Sequence, residues 1–263
     1  MNKILVVAKN PETYFIKRLT QEVGEDRIQL YNPWIDPAPL GFNRILFRSF
    51  GVYHSDKDLD FVRSSLIPTL NSIESLQIFR SKSSQYQFFN SRNHPSLPWW
   101  HLKDWEEEGG DLFLVKPDLG QGGWGIQVMS ADALSGWREE KFVQEDLSWI
   151  VQPFVRAPEY RVFFMGNERI TLKRVPKMNH KAANFAQEGE ATVVKTPFHV
   201  SLPVEKLIFD SQAYYGAIDL LDTPNGIVFL EVNVVPGIEQ LEKITGINII
   251  RGLLTANYFC QIT

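Results

Sequence analysis

Asp219 and the triplet Glu231-Val232-Asn233 are the residues best able to do chemistry. They sit in two apolar runs, Tyr215 to Leu221 and Ile227 to Asn233, on either side of Pro224-Asn225-Gly226. Two such runs around a turn signal predict a β-hairpin. Strand alternation places Glu231 and Asn233 on one face and Val232 on the other. Asp219, on the partner strand, can meet them there. Two carboxylates and an amide oxygen converging at one point form a hard-oxygen site, suited to Mg²⁺ carrying the phosphates of a nucleotide. The competing reading pairs these acids with Lys or Arg, or leaves them at a solvated strand end. Unpaired charge in segments this apolar is expensive.

A second chemical element is the stretch Lys116-Pro117-Asp118-Leu119-Gly120-Gln121-Gly122-Gly123-Trp124-Gly125-Ile126. Its four glycines free the backbone to curve, so that successive N–H groups can cradle phosphate oxygens. Lys116, at the end of an apolar strand, supplies positive charge. The segment is not a P-loop, because GxxxxGK[ST] is absent. An ordinary glycine-rich hairpin turn is the plainer alternative. Trp124 either folds over bound phosphates or docks on a neighbouring subdomain.

These residues need a scaffold. Residues 3–8 predict a buried strand and 12–23 a helix with Phe15, Leu19 and Val23 inside. Strands follow at 28–31 and 44–48, then a helix from Asp58 to Leu70 with Leu59, Val62 and Leu66 inward. This strand–helix–strand order is that of a parallel sheet. Residues 81–92 predict a helix capped at or near Ser81, with Tyr86, Phe88 and Phe89 as apolar contacts. Strands are expected at 112–116, 126–129 and 149–154, and a short helix at 131–137. A hairpin turning at Gly166-Asn167 joins 160–165 to 170–174. The tail from Glu239 to Asn257 reads as helix, and Trp99-Trp100 as packing between subdomains.

The chain of 263 residues is 44% hydrophobic and 22% charged, an ordinary globular composition. Its net charge of −4 gives no electrostatic case for nucleic acid or an anionic membrane. The apolar runs are of strand length, short of a membrane-spanning helix, and residues 4–8 are too short for a secretory core. A single cysteine, Cys260, allows no internal disulfide and suits a reducing cytoplasm. Histidine and cysteine spacings exclude the usual zinc patterns.

Lys116 with its glycine loop, then Glu159-Tyr160-Arg161-Val162, then Asp219, then Glu231-Val232-Asn233-Val234-Val235-Pro236-Gly237 follow the order found in ATP-grasp ligases. The tail from Pro236 to Ile247 resembles the RimK branch, and glutathione synthetases are similar. The resemblance covers roughly residues 78–255. It implies an α/β chain with α+β subdomains: an N-terminal parallel-sheet pre-ATP-grasp domain (1–78), a small lid subdomain (79–149) and a C-terminal subdomain carrying the metal site (150–263).

The resemblance also implies roles. Lys82 and Lys116 resemble the two nucleotide-binding lysines, and Gly120, Gln121, Gly122, Gly123, Trp124 and Gly125 the phosphate loop. Gln152, Pro153, Phe154 and Val155 resemble the hinge that reads adenine, Glu159 an acid that can hold the ribose, and Asn184 a loop residue beside the ligands. Asp219, Glu231 and Asn233 resemble the ligands of two Mg²⁺ ions, with Mn²⁺ as a substitute. Arg161 and Lys116 resemble the catalytic cations. Without the resemblance, Lys82 reads as a solvated helix lysine; the alternative for Arg161, a surface strand charge, is less attractive between Tyr160 and Val162 in an apolar run.

The implied reaction is amide formation: ATP converts a carboxylate to an acyl phosphate, and an amine displaces the phosphate. The implied partners are ATP, a carboxylate and an amine carried by a protein tail, peptide or metabolite, with a homo-oligomer as the implied assembly. One region departs from the family pattern. Ala182 stands where an arginine is usual, and Glu188-Gly189 where a Gly-Gly pair is usual, with Glu190 beyond. Losing a guanidinium removes a carboxylate clamp, and the added acids repel an anionic acceptor. Lys173, Arg174, Lys177 and Lys181 either compensate or form a solvated charge run. A non-catalytic ATP-binding relative is therefore the alternative function, and an unrelated α/β protein the third.

Overall fold

The computed structural model describes residues 3–37, 39–49, 56–106, 112–120, 123, 125–142, 148–175 and 190–255. In chain order they form β1 (Lys3–Val7), α1 (Tyr14–Val23), β2 (Ile28–Tyr31), β3 (Phe42–Phe47), α2 (Asp56–Ser65), β4 (Thr69–Leu70), α3 (Ile73–Ile78) and α4 (Lys82–Ser91). Then come β5 (Trp100–His101), β6 (Phe113–Pro117), β7 (Gln127–Met129), α5 (Ala131–Phe142), β8 (Trp149–Pro153), β9 (Glu159–Met165) and β10 (Glu168–Val175). The remainder is β11 (Glu190–Val194), α6 (Phe198–Ser211), β12 (Tyr215–Thr223), β13 (Gly226–Asn233), α7 (Glu239–Thr245) and α8 (Ile249–Thr255).

Three sheets result. The N-terminal sheet has the order β2-β1-β3-β4 and is parallel throughout, as its strand–helix alternation predicts. A small antiparallel sheet runs β5-β8-β6-β7, and a larger one β11-β10-β9-β12-β13. The expected boundary at 149/150 falls inside β8, which pairs with β5 and β6. One continuous core joins the parallel sheet, α4 and one face of the larger antiparallel sheet, through residues such as Leu5, Ile45, Phe89, Val162 and Phe229. The small sheet keeps its own core around Trp105, Phe113 and Leu134. Trp99 packs on the Tyr86 ring, 5.6 Å between centroids, and Trp100 packs on the small core.

Asn71 fastens the parallel sheet to the larger one. Its side-chain Nδ2 donates to the carbonyls of Tyr215 and Val234, both at 2.7 Å. Its Oδ1 accepts from the N–H groups of Tyr214 and Tyr215 at 2.9 and 3.0 Å. Every hydrogen-bonding position of this buried amide facing β12 is thus used.

Three expectations need correction. The helix expected from Asp58 to Leu70 is α2, ending at Ser65; Leu66 is left-handed (φ 55°) and exposed rather than inward. Pro68 disfavours helical backbone in the residue before it, which frees 69–70 to join the sheet. The helical tail is two helices, broken at Gly246 (φ 70°) in the left-handed C-cap. The helix α6, absent from the sequence expectations, carries Pro203 in its interior, a residue that normally breaks a helix. Its stripe Val200, Val204 and Leu207 is buried, and that packing prevails.

Candidate functional site

The site is built on one face of the larger sheet. Hairpin register sets Arg174 opposite Glu159, and β9 pairs with β12 so that Arg161 lies opposite Asp219. Asp219 in turn lies opposite Glu231, and Ala217 opposite Asn233. Residues directly opposite share a face, as do residues two apart. Arg174, Glu159, Arg161, Asp219, Glu231 and Asn233 therefore form a polar row across four strands.

A bulge makes this row continuous. Asp219 pairs with Glu231, but Leu220 pairs with Phe229, so Leu230 is an extra residue in β13. Ile227 and Phe229 point into the core, and strict alternation would send Glu231 after them. The inserted residue reverses the alternation: Val232 takes the core position and Glu231 the opposite one.

Within the row, Asp219 is tied to arginine. Arg161 Nε donates to Asp219 Oδ1 at 2.6 Å, and Arg161 Nη2 donates to Oδ2. Arg174 Nη1 lies 3.5 Å from Asp219 Oδ1 and also donates to Glu159. Two acids and two bases thus meet in a buried cluster. Burial alone would raise the Asp219 pKa, but the two arginines outweigh it and hold it below the usual range. Burial and the neighbouring Asp219 charge push Glu159 the other way, to about 7. Of the two acids for which the ion-pair reading was raised, Asp219 adopts it, through Arg161, and Glu231 does not. Glu159 meets Arg174.

Glu231 differs. It has no hydrogen-bond or ion-pair partner among the described residues. Asn233 Oδ1 accepts from the Val235 N–H at 2.9 Å, which turns the chain after β13. Among the described residues no three His, Cys, Asp or Glu side chains converge as a metal cluster; the expected set is two carboxylates and an amide.

The lysines reach the same place from the other lobe. Ser81 Oγ accepts from the Ser84 N–H while Ser84 Oγ accepts from the Ser81 N–H, a reciprocal cap that starts α4. Asp118 holds this end against the loop root, accepting from Ser83 N–H and Oγ at 2.7 and 2.8 Å. Lys82, the first residue of α4, is buried and donates to the Gly120 carbonyl at 2.9 Å. Burial lowers its pKa, and Glu231 opposes that shift. Lys116 is buried and donates to the Tyr86 hydroxyl at 2.6 Å. Burial depresses its pKa to about 8, again opposed by Glu231 and Asp219. The solvated-lysine reading of Lys82 does not hold.

A cleft of about 550 Å³, open to solvent, runs between these parts, lined by Lys82, Gly120, Glu231 and Asn233 and bounded by Ser49 and Phe79. Gly123 and Gly125 are left-handed (φ 74° and 73°), and a Cβ on Gly125 would lie 2.8 Å from Pro117 Cγ. The loop geometry thus requires glycine there. Gln121, Gly122, Trp124 and Asn184 lie outside the described residues, as does the altered loop with Ala182 and Glu188. Gln152 is buried and its Oε1 lies 3.0 Å from the Tyr86 hydroxyl. Pro153, Phe154 and Val155 continue from it, with the Phe154 N–H spent on the Leu112 carbonyl.

Sequence reasoning missed Gln85 and Asp118, took Tyr86 for an apolar contact, and left Arg174, at the end of a hairpin strand, as a compensating cation or part of a solvated charge run. The partner of Arg174 was legible: a hairpin turning at Gly166-Asn167 places it opposite Glu159. The others depend on α4 crossing β13, which no local pattern announces.

Residues 125–256 match the RimK-like ATP-grasp domain. A probable alpha-L-glutamate ligase of Legionella pneumophila (strain Corby) is 24% identical over an alignment covering 94% of this chain and 92% of that protein. A RimK domain ATP-grasp protein from Sphaerobacter thermophilus DSM 20745 superposes with a TM-score of 0.71 at 14% identity, covering 95% of this chain and 97% of that one. The ATP-grasp ligase PsnB, solved with a phosphomimetic variant of its minimal precursor, Mg and ADP, superposes with a TM-score of 0.73 at 12% identity, covering 100% and 99%. At such identities the two solved structures speak for the fold alone.

Proposed function

The chain belongs to the RimK-like ATP-grasp family, and from that premise we propose that it is an ATP-dependent ligase joining a carboxylate to an amine through an acyl phosphate. The γ-phosphoryl group of ATP passes to the carboxylate, ADP leaves, and the amine then displaces phosphate to form the amide. The observation that carries the reading is Glu231. It is a carboxylate unpartnered among the described residues, in register with Asp219, facing two buried lysines, Lys82 at the start of α4 and Lys116 on β6 of the small sheet.

The donor set fits a hard cation, since it is all oxygen and Glu231 is uncommitted. Asp219, Glu231 and Asn233 would hold Mg²⁺, as two ions, with Mn²⁺ able to substitute; Asp219 would share its oxygens with Arg161 and Arg174. The metal would supply neutralisation of the polyphosphate charge. Lys82 and Lys116 bind phosphate oxygens, and the Gly120–Gly125 loop covers them and excludes water. Lys116 and Arg161 stabilise charge on the group in transfer, a task of positioning and electrostatics. Gln152 to Val155 contact adenine. The acceptor carboxylate enters through the cleft past Ser49 and Phe79.

The similarity to a probable alpha-L-glutamate ligase makes an amino acid the first candidate for the amine. No helix among the described residues is long and apolar enough to cross a membrane. The lone cysteine fits a cytoplasmic setting. The non-catalytic alternative is not favoured, because both lysines and all three metal candidates are present and the curated relative is named as a ligase.

The test is purified protein with ATP, Mg²⁺ and a matrix of carboxylates and amines, read as ADP and phosphate release and product mass. One pair is expected to turn over, and Glu231→Gln to abolish it. Turnover that survives this substitution would overturn the metal assignment.

A further inference from the structure

β13 is the edge strand of the sheet, so two peptide groups flanking Glu231 face away from β12, and consecutive side chains of α4 take both. The Val232 N–H donates to Gln85 Oε1 at 2.9 Å. The Tyr86 hydroxyl offers its one proton to the Leu230 carbonyl at 2.8 Å and to Gln152 Oε1 at 3.0 Å, the carbonyl being the nearer acceptor. Glu231 is the residue between them. Both side chains are buried, Tyr86 completely. Gln85 is held from behind by its Nε2, 3.4 Å from the Phe79 carbonyl. Tyr86 is fixed by ring contacts with Phe89 and Trp99.

The same hydroxyl accepts from Lys116 Nζ at 2.6 Å. Two hydrogen bonds therefore connect the ammonium of Lys116 to the backbone of the residue preceding Glu231. The helix that provides this grip begins with Lys82. One rigid element thus carries one nucleotide lysine, orients the other, and clamps the strand that bears the free carboxylate. A bulged strand without such a clamp would have a carbonyl and an N–H unsatisfied in the core, and alternative registers open to it.

We propose that Gln85 and Tyr86 are positioning residues that set the place of Glu231 at the metal site and couple it to Lys116. This rests on the metal reading above, and deepens it. Each grips the backbone on one side of Glu231 and acts through it, although Gln85 also borders the cleft. Groups that orient a metal ligand in this way typically change metal affinity by about 10–100-fold when removed.

The experiment is Mn²⁺ binding to full-length protein with saturating ADP, followed by electron paramagnetic resonance. ADP affinity without metal, by calorimetry, is the companion measurement. Tyr86→Phe removes only the hydroxyl, and Gln85→Met keeps size while removing the acceptor. Each is expected to weaken Mn²⁺ binding about tenfold; metal-free ADP affinity should stay close to wild type in Gln85→Met, which leaves Lys116 its partner, and fall less than Mn²⁺ affinity in Tyr86→Phe, which removes that partner. Added to Glu231→Gln, Tyr86→Phe is expected to cause no further loss, because it acts through that carboxylate. Wild-type Mn²⁺ affinity in both variants, with loss in Glu231→Gln, would overturn the positioning role and leave the metal reading intact. Equal loss of Mn²⁺ and metal-free ADP binding would overturn it too, as the sign of general damage to the fold. Unchanged Mn²⁺ binding in Glu231→Gln would remove the metal reading itself.

Discussion

Arg161→Met tests the buried charge cluster on which the polar row depends. In the wild-type cluster Arg161 and Arg174 face Asp219 and Glu159. Methionine keeps much of the volume of the stem but removes both hydrogen bonds to Asp219. Asp219, 7% exposed, would then rely on Arg174 alone, at 3.5 Å and already shared with Glu159. Breaking a buried ion pair by removing one partner costs roughly 3–5 kcal/mol. The remaining arginine favours the lower end, about 3 kcal/mol. For a chain of this size that corresponds to a fall in melting temperature of roughly 6–12 °C. Differential scanning calorimetry of the ligand-free protein measures it. Arg161→Met combined with Asp219→Asn should lose less than the two single changes added, because the double variant strands no charge of that pair. An unchanged melting temperature in Arg161→Met would refute the claim that this pair holds the sheet face together. Strict additivity in the double variant would refute the pairing itself.

Three further outcomes follow from particular contacts. Lys116, depressed to about 8 by burial, is cationic below that pH and loses its charge as pH rises through it; ATP affinity should fall across that window, and Lys116→Arg should flatten the dependence, as calorimetry at a series of pH values would reveal. The same shift means the fold binds fewer protons than the unfolded chain between about 8 and the ordinary 10.5, so this group's contribution to stability rises with pH there. Asn71→Leu leaves four backbone groups of Tyr214, Tyr215 and Val234 without their buried partner and should destabilise by more than about 3 kcal/mol, with a lowered urea midpoint as readout. Gly216→Ala would bring a methyl within 2.5 Å of Phe164 Cζ and 3.0 Å of the Asn233 carbonyl; an overpacking loss of about 1–3 kcal/mol is expected in thermal unfolding, and Asn71 and Gly216 variants of wild-type stability would show that this junction is plastic.

Elements with strong local patterns were legible in the chain. The parallel N-terminal sheet follows from its alternation of apolar strands and amphipathic helices. The hairpins β9–β10 and β12–β13 follow from apolar runs interrupted by Gly166-Asn167 and Asn225-Gly226. The cap of α4 follows from Ser81 and Ser84. Where reading failed, a local rule met a stronger tertiary one. No element was read over 198–211, where α6 holds Pro203 in its interior and burial of Val200, Val204 and Leu207 prevails over that breaker. Gly246 was absorbed into one long tail helix, although its left-handed backbone makes it a stop.

By itself, the amino-acid order determined which oxygens and which cations this protein possesses, because their types and spacing are covalent facts. It also determined that Asp219 and Glu231 would lie on neighbouring strands, since a tight turn leaves a hairpin little choice. Which way Glu231 faces was decided only in three dimensions. Alternation counted from Ile227 and Phe229 sends that carboxylate into the core, and one unpaired residue, Leu230, turns it out again. The edge strand that carries the bulge is held on its open side by Gln85 and Tyr86, about 145 residues away along the chain. The partners of Asp219 were equally beyond local reading, since Arg161 meets it across strands distant in the chain. Local chemistry thus names the participants, and long-range packing chooses which are bound to each other and which is left free for a ligand.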